Sequence, residues 1–98
     1  MIARHWTGIA KRDFADAYIE HLRAETFPAV QRLPGFVDSS ILRRDVTDGV
    51  EFLIITTWRS LDAIRAFAGD QVDVAVVPEK AQQMMVRYDR VVRHFDIV

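Results

Sequence analysis

Alternation of apolar and polar positions is clearest in the middle of the chain. Glu51 to Trp58 reads EFLIITTW, an unbroken run of β-branched and aromatic side chains. Such a run predicts a central strand covered on both faces. Phe52, Ile54, Thr56 and Trp58 fall on one face, and Leu53, Ile55 and Thr57 on the other. Both sets are largely apolar, so both faces call for cover. Thr47-Asp48-Gly49 precedes the run as a turn, which pairs it in a hairpin with a strand over Phe36 to Val46. That partner carries Ser39, Ser40, Arg43, Arg44 and Asp45 and reads as an edge or an interface rim. Ile2 to Ile9 predicts the first strand, with Ala3, His5 and Thr7 on one face, Ile2, Arg4 and Trp6 on the other, and Gly8 ending or bending it.

Helical spacing holds elsewhere. Phe14, Ala15, Tyr18, Ile19 and Leu22 form one apolar stripe, predicting a helix over Lys11 to Thr26. Pro28 lacks an N–H, so it kinks that helix or opens a fresh short one, and Pro34-Gly35 stops it. Ser60 caps a second helix with the stripe Leu61, Ile64, Phe67 and Ala68, and Gly69 is placed to end it in a left-handed turn. Val72, Val74 and Val76 alternate, which suggests a short extended piece. Ala81, Met84, Met85 and Tyr88 show helical spacing after Pro78. Arg90 to Val98 predicts the last strand, with Val92, His94 and Val98 on one face. The order β-α-β-β-α-β predicts an α+β, ferredoxin-like fold: a four-stranded antiparallel sheet with both helices on one face. The helices cover one face only, and a second copy of the chain is the natural cover for the other.

Composition narrows the class. The 98 residues make one domain, 1–98, and half of them are hydrophobic, enough for a modest core without staples. There are no cysteines, which removes disulfides, thiolate metal sites and a cysteine nucleophile. Net charge is −1 and the sequence pI is about 6.3, unlike a nucleic-acid binder. No apolar run reaches the ~18 residues of a membrane span, and the N-terminus lacks a signal-peptide shape. A soluble cytoplasmic protein is the expectation. The same element order occurs in RNA-recognition modules, but the central strand has neither the basic residue nor the glycine they need.

Five stretches together carry a resemblance: ARHWTG at Ala3–Gly8, LPGF at Leu33–Phe36, EFL at Glu51–Leu53, WRSLDAIRAFAG at Trp58–Gly69 and VRHFDIV at Val92–Val98. The chain resembles the antibiotic biosynthesis monooxygenase-like family of the dimeric α/β-barrel superfamily. The third of these is short; the Trp58–Gly69 block is the most specific, and Pro78 to Tyr88 matches least. The resemblance implies a homodimer whose sheets face each other as a barrel, with a small-molecule pocket between helices and sheet in each subunit. Some members oxidise aromatic compounds with O2 and no metal or flavin; others degrade haem. The Asn, Trp and His of the haem degraders fall near His5, Phe67 and Val77 here, and none matches, so no haem or other cofactor is expected.

Oxygenation without a cofactor needs a base or hydrogen-bond donor beside large apolar walls. His5, on the first strand, and His21, on the first helix, are the candidate catalytic bases. Tyr18, Trp58 and Phe67 are the candidate substrate contacts. Plain core packing is the competing and favoured account of Trp58 and Phe67; ordinary half-exposed positions for the histidines, and a core ring with a wet hydroxyl for Tyr18, compete with the catalytic reading. If His5 faces the pocket, Trp6 faces the dimer barrel, and vice versa; His94 suits pocket, interface or surface. Asp70, Asp73 and Glu79 make no metal site with a nearby histidine. Two functions follow: a monooxygenase acting on a small aromatic or quinol-type molecule, or a non-catalytic dimer that binds a small molecule or a partner.

Overall fold

The computed structural model describes residues 1–98 as an α+β fold with a five-stranded antiparallel sheet. The strands are β1 (Ile2–Ala10), β2 (Phe36–Val46), β3 (Gly49–Trp58), β4 (Met85–Tyr88) and β5 (Arg93–Asp96). The helices are α1 (Ala15–His21), α2 (Phe27–Gln31), α3 (Leu61–Ala68) and α4 (Glu79–Gln82). β2, β3 and β1 lie side by side in that order, and β4 and β5 share the lane beyond β1. β4 pairs with Gly8–Ala10, and β5 with Ile2–His5. The sheet is thus four lanes wide, as expected, but its last lane is built from two short strands.

Side-chain parity follows the expected split. Phe52, Ile54, Thr56 and Trp58 are all buried, while Leu53, Ile55 and Thr57 are only half-buried. Across the ladder, Trp6 pairs with Ile54 and Arg4 with Thr56, whereas His5 pairs with Ile55 and Thr7 with Leu53. Arg4 and Trp6 therefore lie on the helix-covered face. His5, Thr7, Leu53, Ile55, Leu42 and Phe95 lie on the other, which nothing in the chain covers.

Several local expectations change. β1 runs on to Ala10 through Gly8 instead of ending there. Gly8 is needed for space: a Cβ would stand 2.4 Å from the Trp6 ring. Pro28 stands in the first turn of the short helix α2, as expected, but no break in the helical run precedes it. A 3-10 turn at Arg12–Phe14, α1, a π-helical turn at Leu22–Thr26 and α2 form one run. The wide turn before Pro28 supplies room for the ring that a tight α turn would crowd. Ser60 caps α3, its Oγ accepting from the Ala63 N–H at 3.2 Å. Gly69 has φ 82° and ψ −170°, so α3 ends in glycine-only extended backbone and not in a left-handed turn. Residues 69–78 form no strand beyond a single bridge, Val74 to Val91. Met85 and Tyr88 belong to β4, not to a helix. Their spacing fits both, and pairing with the open edge of β1 decides it.

Candidate functional site

A cavity of about 70 Å³ lies between the helices and the covered sheet face. Its floor comes from Arg4 and Trp6 on β1, Ile54 and Thr56 on β3, and Val92. Tyr18, His21, Leu22, Thr26, Phe27 and Val30 roof it from the long helical run. Phe67 of α3 and Val76, Val77, Pro78 and Ala81 close the remaining side. The lining is mainly hydrophobic, with a few convergent polar groups, as small-molecule sites are.

Tyr18 is 3% exposed, and its ring meets Phe52 edge-on at 5.0 Å. No protein group hydrogen-bonds its hydroxyl, which keeps contact with the cavity space. Burial pushes the phenol above its ordinary range, so it stays protonated near neutrality and acts as a donor. His21 is 6% exposed and stacks on Tyr18 at 6.4 Å. Its Nδ1 lies 3.3 Å from Glu25 Oε2, and its Nε2 lies 3.4 Å from Thr26 Oγ1.

Arg4 is the third polar group, one that pattern-reading of the sequence did not single out. It is 4% exposed. Nη1 donates to Val72 O at 2.5 Å and to His94 Nε2 at 3.0 Å; Nη2 donates to Val74 O at 3.0 Å. The guanidinium lies 5.7 Å from the centre of the Phe67 ring, a cation–π contact. Since His94 Nε2 accepts, its Nδ1–H donates to Asp73 Oδ1 at 3.1 Å. Asp73 therefore meets a histidine, but no three potential ligands gather into a metal site. Burial lowers the Arg4 pKa to about 10, partly offset by Asp73. It remains a cation in a largely apolar wall, facing no carboxylate directly. A lone arginine among inward-facing strand residues was the signal for it.

Of the five predicted residues, the structure gathers Tyr18, His21 and Phe67 at the cavity and leaves two outside. His5 is on the opposite face, 4.9 Å from the Phe95 ring. Strand parity requires this once Trp6 faces inward, where its Nε1–H donates to Asp89 O at 2.9 Å. Trp58 does not line the cavity. It is fully buried one layer behind, stacked on Phe67 at 5.9 Å, with its Nε1–H on Thr56 Oγ1 at 2.9 Å.

Residues 1–72 match the sequence profile described as antibiotic biosynthesis monooxygenase. The chain belongs to the antibiotic biosynthesis monooxygenase family. Solved structures agree with that assignment in fold. A Bacillus cereus protein named for antibiotic biosynthesis monooxygenase superposes with a TM-score of 0.68 at 18% identity, covering 100% of this chain and 94% of its own. SnoaB, a cofactor-independent oxygenase from Streptomyces nogalater, gives 0.67 at 20% identity, covering 99% and 92%. MhuD, a heme-degrader from Mycobacterium tuberculosis, gives 0.61 at 19%, covering 100% and 96%. Identities this low establish shared architecture and leave chemistry to the site. No curated protein matches the sequence. Within this family member the profile match stops at Val72, so Asp73, α4, β4 and His94 lie outside it.

Proposed function

We propose that this protein is a cofactor-independent monooxygenase acting on a small aromatic or quinol-type molecule, working as a homodimer. One observation carries the reading: His21, the Tyr18 hydroxyl and the Arg4 guanidinium converge on a single apolar cavity. Histidine is the side-chain type suited to act as a base near neutral pH. His21 takes the acidic proton of the substrate. The buried Arg4 charge and the Tyr18 hydroxyl stabilise the resulting anion, an effect strengthened by the low dielectric of the cavity. The electron-rich anion reduces O2. An activated ring CH2 becomes C=O, and the second oxygen atom leaves as water.

A cavity of about 70 Å³ is well below the roughly 300–1,000 Å³ of ordinary ligand sites. Admitting a ring system therefore requires the lining to widen. O2 uptake with a panel of polycyclic phenols and hydroquinones, in the presence of a chelator, tests the reading. Uptake stoichiometric with product supports it. Saturable binding without O2 uptake overturns it in favour of a non-catalytic small-molecule binder.

A further inference from the structure

The π-helical turn does more than accommodate a proline. It brings His21, Glu25 and Thr26 together on one flank of a single helical run, at separations of 3.3 and 3.4 Å from the two imidazole nitrogens. Lys80 of α4 donates to the same Glu25 Oε2 at 2.7 Å. A chain of contacts thus runs from an exposed lysine to a buried imidazole: Lys80, Glu25, His21, Thr26. The histidine side chain is 4% exposed and the glutamate 52%, so the chain enters the protein at Glu25.

We infer that Glu25 is the positioning residue for His21, and that Lys80 of α4 positions Glu25. An ionised carboxylate only accepts hydrogen bonds. The Nδ1 of His21 must then carry the proton of the neutral ring, and Nε2 is left as the basic nitrogen, turned to Thr26 and the cavity. The hydrogen bond from Lys80, and then that from His21, hold the Glu25 carboxyl below its usual range, which keeps it an acceptor. A carboxylate that orients a histidine in this way fixes both tautomer and ring plane. α4 lies outside the family-matched stretch, so the orientation of the proposed base depends on a segment beyond that match. The inference rests on the reading of His21 as the base, but its primary test does not.

Nitrogen NMR of ¹⁵N-histidine-labelled protein at neutral pH reads the tautomer directly, and His5 and His94 serve as internal controls. The expected result is a single Nδ1–H tautomer for His21. Glu25→Ala replaces it with a mixture while the His5 and His94 signals stay in place. Glu25→Gln, which keeps an acceptor oxygen, restores the Nδ1–H form, and Lys80→Met reduces it partially. Unchanged His21 signals in Glu25→Ala, or no restoration in Glu25→Gln, overturn the inference. Should Glu25→Ala not fold, the Lys80→Met spectrum decides in the same way. With a turned-over substrate, Glu25→Ala also lowers the rate about 10-fold or more, part of the 10²–10⁴-fold a positioned base contributes. A shifted tautomer with no turnover in the wild type leaves the positioning intact and removes the base.

Discussion

His21 shows how one residue's neighbours, not its type, decide its use. His5 and His21 are equivalent by composition, but the first sits beside Phe95 and Arg93 on the uncovered face and the second beside Tyr18 in the cavity. His21→Ala is expected to lower turnover by roughly 10²-fold or more with the fold retained, measured as O2 uptake beside a circular dichroism spectrum. Tyr18→Phe removes only the donor and is expected to raise the substrate's apparent pKa in the bound state. His5 carries a pH effect instead: burial, and then Arg93, hold its pKa below the ordinary 6.5. The unfolded chain then binds more protons, so stability is present above 6.5 and falls as pH drops through that value toward the lowered native one. A His5→Asn variant should lose that part of the pH dependence in thermal unfolding. The candidate contacts Tyr18 and Phe67 were legible because helical spacing fixes which stripe faces a sheet. Arg4 left one mark only, a lone arginine on the strand face it shares with Trp6, because the contacts to Val72, Val74 and His94 that bury it are long-range.

At the scale of elements, the strands legible in the sequence were β1, β2 and β3, with their long runs, and β5, which lies inside the expected Arg90 to Val98. β4 was hidden because Ala81, Met84, Met85 and Tyr88 satisfy helical spacing, and only the hydrogen-bonding edge of β1 chooses between the two. The helical run raises the same issue at Pro28, where a π-helical turn resolves a conflict that periodicity alone leaves open. Two substitutions test the packing of these elements. Gly8→Ala places a methyl group against the Trp6 ring, and overpacking of this kind costs about 1–3 kcal/mol, to be read as a lower urea midpoint. Ser60→Ala removes the cap of α3, a loss of about 1 kcal/mol, and should leave the cavity unaltered.

The whole molecule presents two very different surfaces. The helix-covered face is closed, while the opposite sheet face exposes Leu42 and Phe95 at 46% and 44% beside half-buried Leu53 and Ile55. Light scattering at micromolar concentration is expected to report a dimer, and Leu53→Asp a folded monomer; a wild-type monomer would remove the barrel arrangement from the proposal. Haem is expected not to be turned over, because His5, Phe67 and Val77 stand where the haem degraders have Asn, Trp and His; decay of the Soret band to a bilin-type spectrum under reductant would contradict this. No helix is long and apolar enough to cross a membrane. The free edge at β2 has its own consequence. Its outer backbone groups are open along eleven residues, the usual invitation to strand-by-strand growth into fibres. Asp38, Arg43, Arg44 and Asp45 stud that edge, and its ladder slips between Phe36 and Asp38. Charge and irregularity there refuse sideways addition of further copies.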